Sequence, residues 1–151
     1  MKEGSQESKL YRFPKEERLH HRSLVEGLFR LGKTFYEYPF KVAWRPLSGN
    51  DLEKNFRKNV PEGIGKLQVL ITVPKKKRRR AVDRVLMRRR IRESYRLNRL
   101  DLREILEKRP GHGTMSVALI YLQDKNLPYN VVEEKIKAVL RKLESKISNL
   151  E

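Results

Sequence analysis

The chain has 151 residues, with 36 Lys plus Arg against 19 Asp plus Glu, a net charge of +17 and no cysteine. The length suits one domain with a modest core. The missing cysteines exclude disulfides, thiolate catalysis and cysteine-type zinc sites, and fit a reducing compartment. So large a basic excess points to nucleic acid, or less often to an anionic membrane surface.

Residues 1–10 are polar and charged and are expected to be flexible. The N-terminal stretch "MKEGSQESKLYRFPKEERL" has no apolar run of the kind a secretory signal needs. A folded domain is expected over 11–148. Its first helix is predicted at "SLVEGLFRLG", with Ser23 and Glu26 as a capping box and Gly32 just past the end. Leu24, Val25, Leu28, Phe29 and Leu31 give that helix an apolar stripe. In "YEYPFKVAWR", Tyr36, Tyr38, Phe40, Val42 and Trp44 recur at period two, which predicts one strand with an aromatic face. Pro39 marks an edge position or a late strand start. Residues 46–66 carry Pro, Gly and Asn punctuation without periodicity and read as a long exposed hairpin loop.

"KLQVLITVP" predicts a second strand, with Leu67, Val69, Ile71 and Val73 on one face. The segment "TMSVALIYL" is apolar on both faces and is therefore expected to be a central strand. At about eight residues its apolar run is far too short to span a bilayer, and a soluble, cytoplasmic protein without a membrane partner is expected. A last helix, capped by Asn130 and Glu133, carries the stripe Val132, Ile136, Val139, Leu140, Leu143 and Ile147. The order α-β-β-α-β-α reads as a single α+β domain.

Between the second strand and "RPGHG" lies the most basic stretch, "KKKRRRAVDRVLMRRRIRESYRLNR" (Lys75 to Arg99). Thirteen cations less two acids, Asp83 and Glu93, leave +11 on this segment. A helix beginning near Ala81 places Met87, Ile91, Ser94, Tyr95, Asn98 and Leu102 on one side, as a seam that can pack on the sheet. Arg88, Arg89, Arg92, Arg96 and Arg99 then share an arc of about 100° on the other side, with Val85 in its middle. Like charges at this spacing weaken an isolated helix, so such a face needs tertiary packing to hold it and polyanion binding to explain it. Arginine suits phosphate because its planar fork offers two parallel donors. The hexapeptide "KKKRRR" alone also matches a nuclear localisation pattern, but here it leads directly into a structured helix.

"AVDRVLMRRRIRESYR" (Ala81 to Arg96) resembles the signature helix of the bacterial ribonuclease P protein subunit. The ordered set "LVEGLFRLGKTF", "FKVAW", "LITVPKK" and a last amphipathic helix agrees, so the resemblance spans roughly 9–148, with 46–66 as an unmatched insert. It implies a small α+β domain with a roughly four-stranded sheet, three helices and a left-handed β-α-β crossover, a fold shared with a domain of a ribosomal small-subunit protein. It also implies assembly with a catalytic RNA that removes 5′ leaders from precursor tRNA. The chemistry would then reside in the RNA, with divalent cations such as Mg²⁺ bound there and no catalytic residue, cofactor or metal site in the protein.

The family signature opens Arg-Asn-Arg. Here the first Arg is Arg84, but Val85 and Leu86 stand where the Asn and second Arg belong, so the contacts of those two groups are not carried over. Arg88, Arg89 and Arg92 match the basic positions that follow, and Lys75 and Lys76 match the lysines before the helix, with one extra residue before Ala81. With Arg96 and Arg99 from the arginine arc, these residues are the expected contacts to the catalytic RNA. The family binds the single-stranded leader in a cleft between the first helix and the open sheet face. Phe29, Phe40, Val42 and Trp44 match that region in type and place, and bases stack readily on such aromatic faces.

A self-sufficient nuclease would need an acid/base pair or a carboxylate metal site. The only histidines are His20, His21 and His112, and no Asp-x-Asp or His-x-x-x-His spacing occurs. A ribosomal or general RNA-binding protein without a processing role is compatible with the same charge and fold.

Overall fold

The computed structural model describes residues 11–111 and 113–150, so the stretch 1–10 lies outside the described residues. A 3-10 turn at Lys15–Glu17 leads into helix α1, Arg22–Leu31. Strands β1 (Lys33–Glu37) and β2 (Phe40–Leu47) follow. The single predicted strand is thus a tight hairpin turning at Tyr38-Pro39. The period-two run crosses the turn in sequence only, because a two-residue connection pairs residues of opposite parity and so exchanges the faces. Register shows the cost of that reading: Tyr36 pairs with Lys41, not with Phe40, so Tyr36 shares a sheet face with Lys41.

The 46–66 segment is neither a hairpin nor structureless. Helix α2 occupies Gly49–Asn55, closed by a reciprocal cap in which the Asp51 amide donates to Ser48 Oγ (3.1 Å) and the Ser48 amide to Asp51 Oδ2 (2.9 Å). Those bonds, the backbone one first, hold the Asp51 carboxyl below its ordinary range. Leu52 is buried and anchors the short helix. Strand β3 (Leu67–Thr72) does not pair with β2; the sheet order is β1-β2-β4-β3. Strand β4 (Thr114–Tyr121) lies between them, antiparallel to β2 and parallel to β3, as its two-sided apolar pattern demands.

A parallel pair requires a crossover. Here it is α3 (Ala81–Asn98) followed by α4 (Leu100–Glu107), so the predicted 81–102 helix breaks at Arg99. The last helix, α5, spans Tyr129–Ser148. Phe40, Val42, Trp44, Leu67, Val69, Val117 and Leu119 on one sheet face pack against Met87, Ile91 and Tyr95 of α3 and the whole predicted stripe of α5. On the opposite face, α1 and α2 seat Leu24, Leu28 and Leu52 over Ala43 and Ala118. These two alanines, paired across β2 and β4, leave room for α1.

Two predicted caps are absent. Pro128, not Asn130, precedes the first turn of α5, and Glu133 instead accepts from Tyr129 and Asn98. Ser23 lies inside α1, where its hydroxyl accepts from Asn55 of α2, while Glu26 pairs with Arg22. Gly32 does end α1, but its backbone is extended. Its need for glycine is steric, since a Cβ would collide with the Leu28 carbonyl and lie 3.1 Å from that of Trp44.

Arg99 closes the fold. Its guanidinium is fully buried at the α3–α4 junction and binds Glu17 through Nε (3.2 Å) and Nη2 (2.9 Å). It also donates to the carbonyls of Arg12 and Arg96. The N-terminal segment is thereby strapped across the helix junction, with Phe13 edge-on to Tyr95 at 5.4 Å. Glu17→Gln should leave Arg99 buried without its counter-ion and destabilise the protein by about 3–5 kcal/mol, as breaking a buried pair does. Urea unfolding followed by circular dichroism checks this.

Candidate nucleic-acid interface

The basic segment divides its cations between two tasks. Arg78 pairs with Asp83 (3.1 Å) and reaches the Asp124 carbonyl, while Asn126 donates to Asp83 (3.1 Å). Arg84 donates to the carbonyls of Arg78 (2.8 Å) and Arg79 (2.7 Å). Arg90 donates to the carbonyl of Leu127. These three guanidiniums therefore fold the 75–80 loop against the start of α3 and tie the helix to the β4–α5 connection. Asp83 also suits the first turn of α3, where the helix dipole favours an anion.

The remaining cations project. Lys75, Lys76, Lys77, Arg79, Arg80, Arg89 and Arg92 are exposed and Arg88 is half-buried. Among the described residues, the side chains of Arg88, Arg89 and Arg92 have no ion pair and no hydrogen bond. Arg96 is held by Glu93 at 2.6 Å and by the Tyr11 carbonyl at 2.8 Å. The Arg96 hydrogen bonds keep the Glu93 carboxyl below its usual range, and Glu93 raises Arg96 in turn. Arg99 departs furthest from expectation. It is the last residue of the predicted arc along the chain, where the helix breaks, and the junction turns its guanidinium into the protein. It is not a surface contact.

The predicted aromatic site needs a larger correction. Phe40, Val42 and Trp44 are buried beneath α3 and α5 and form core rather than a cleft. Only Phe29 is open, 51% exposed on α1. The uncovered part of the sheet lies on the opposite face. There Tyr36, Lys41, Ile120 and Thr72 form a row across all four strands, with Tyr36 61% exposed and the Lys41 ammonium 5.9 Å from its ring centre. The α1 helix covers the next row, at Ala43 and Ala118, and leaves this one exposed at Tyr36 and half-buried at Lys41, Ile120 and Thr72. Tyr36 was in view in the sequence, but assigned to the wrong face; the position of α1 is what separates the two faces. Thr72 ends β3, so the row runs directly towards the Lys75–Arg80 loop.

The histidine pair is packed locally. His20 and His21 stack at 4.3 Å, His21 meets Phe56 edge-on, and His20 bonds the Arg18 carbonyl. Partial burial, then His20 and Lys15, lower the pKa of His21. Among the described residues no group of three or more His, Asp or Glu could hold a metal ion, and no helix is long and apolar enough to cross a membrane.

The chain has known relatives. The family model for ribonuclease P matches residues 13–144. The chain belongs to the ribonuclease P protein family. Ribonuclease P protein components from two strains of Porphyromonas gingivalis are 32% and 31% identical over 126 residues, covering 83% of this chain and 82% of theirs. The ribonuclease P protein of Staphylococcus aureus, at 16% identity, superposes with a TM-score of 0.52 over 84% of this chain and 94% of its own, a likeness of fold. Family membership and the four-stranded α+β architecture thus agree with the resemblance in the sequence, although the α-helices among the described residues number five rather than three.

Because Phe40 is fully buried, Phe40→Ala should cost about 3–5 kcal/mol of stability, as large-to-small core changes do. Thermal unfolding measures this loss, and any fall in RNA affinity should track it equally for precursor and mature tRNA.

Proposed function

We propose that this chain is the protein subunit of ribonuclease P, acting in tRNA 5′ processing by binding the catalytic RNA and the leader of precursor tRNA. The observation that carries the reading is the unpaired face of Arg88, Arg89 and Arg92, on a helix whose other side is locked into the core of a chain in this family. Packing offsets the self-repulsion of that face, so its charge is free for phosphate. Lys75 and Lys76, with Lys77, Arg79 and Arg80, extend it along the preceding loop. Arg84 acts through the loop it holds, Arg96 contributes from its pair with Glu93, and Arg99 supports the helix from within.

The leader contact belongs to the open row rather than to the buried aromatics. Tyr36 offers a stacking surface, Lys41 a cation for the backbone, Ile120 an apolar floor, and Phe29 the wall on α1. Hydrolysis falls to the RNA, with Mg²⁺ bound mainly by the RNAs.

Double substitution Arg89→Ala with Arg92→Ala should weaken binding of the catalytic RNA with little change in melting. Each lost phosphate contact should flatten the slope of log affinity against log salt by roughly 0.7–0.9. An unchanged slope would mean that this face meets only solvent. Tyr36→Ala should weaken precursor tRNA more than mature tRNA in the holoenzyme, by roughly 1–3 kcal/mol for a lost stack. Protein without RNA should cleave no precursor, and protein added to its cognate RNA should restore cleavage at low magnesium. Recovery of ribosomal RNA instead of one processing RNA in a pull-down from cells would favour a general RNA-binding role.

A further inference from the structure

Besides its arginines, the solvent face of α3 carries an apolar cluster that no packing explains. Val82, Val85 and Leu86 are 61%, 39% and 38% exposed. Their i, i+3, i+4 spacing puts them side by side over the first turns of the helix, in the middle of its outward face. Valine is a poorer helix former than alanine, lysine or arginine, so neither helix propensity nor solubility accounts for two of them here. Charge surrounds the cluster. Arg79 and Arg80 precede it, Arg89 lies one turn beyond Val85 and Leu86, and Arg88 and Arg92 flank that turn.

We infer that Val82, Val85 and Leu86 form an apolar contact for the RNA bound by this helix, lying against ribose and base faces while the surrounding cations take the phosphates. The inference rests on the RNA-binding reading above and adds a salt-independent part to it. RNA matches both features of the patch at once, because sugar and base surfaces lie exposed in its wide, shallow minor groove and in unpaired loops, bordered by phosphates. A second copy of the chain fits the apolar residues but not their border. Joining two such patches would bring both sets of loop and helix cations together.

The test replaces the cluster with residues of matched helix propensity, as Val82→Ser, Val85→Ser and Leu86→Gln together. The probe is the ribonuclease P RNA transcribed from the same genome, titrated with full-length protein at several salt concentrations. Affinity should fall roughly tenfold or more as the apolar burial gained on binding is lost, at every salt concentration, so that the slope of log affinity against log salt stays that of the wild type. Substitution of Arg89 and Arg92 should do the reverse and flatten the slope. Val85→Ser alone, at an exposed position, should give part of the loss with unchanged melting and covers the case of an unfolded triple variant. Wild-type affinity in the folded variants would overturn the inference while leaving RNA binding intact. So would a flattened slope, which would mark the effect as electrostatic. Unchanged RNA affinity with a shift in sedimentation would assign the patch to a second copy instead. Failure of the wild-type protein to bind the RNA would be a different result, and would overturn the functional reading itself.

Discussion

Parallel pairing of β3 with β4 is the constraint on which the rest of this molecule hangs. Two parallel neighbours cannot be joined by a tight turn, so the chain between them must cross over the sheet. The only segment available for the crossover is the most basic one in the sequence. Its inner seam, Met87, Ile91 and Tyr95, is then obliged to pack on the sheet, and its outer side is obliged to face out. A helix that would be weakened by its own charge in isolation is held because the sheet topology leaves it nowhere else to go.

Within that basic segment, similar residues do opposite work. Arg78, Arg84, Arg90 and Arg99 spend their donors on backbone carbonyls and two carboxylates, and so fix the loop, the helix start and the helix junction. Arg88, Arg89 and Arg92 carry the same group but meet no protein acceptor among the described residues. The fixed set lets the free set be charged without fraying. The separation is geometric, since each fixed guanidinium lies near a turn or chain end with carbonyls that lack a helical partner.

The sheet divides its faces in a comparable way. One face is covered over its centre by α3, α4 and α5 and takes the large aromatics. The other carries α1 over a pair of alanines, with Arg45 laid across Gly27, and is exposed at Tyr36 and only partly covered at Lys41, Ile120 and Thr72. The open row and the basic loop meet at the same end of the sheet. A single RNA–protein surface can therefore use stacking from one and charge from the other.

The sequence by itself determined the central strand, the seam of α3, the stripe of α5 and the presence of a basic helix, because each follows from local periodicity enforced by burial. Family membership was also legible, in an ordered set of segments rather than in any one motif. The hairpin at Tyr38-Pro39, the cap at Ser48 and Asp51, and the break at Arg99 were only partly legible. A period-two pattern can run through a two-residue turn in sequence although the turn exchanges the faces, a seven-residue helix has little periodicity, and a wheel drawn through a break continues smoothly. Which aromatic face lies inside was decided by tertiary structure alone. Period two defines two faces but does not say which one a helix will cover, and for Phe40, Val42 and Trp44 that choice made core of what looked like a binding surface. The burial of Arg99 was decided in the same way, since its partner Glu17 lies 82 residues away and no local pattern links them.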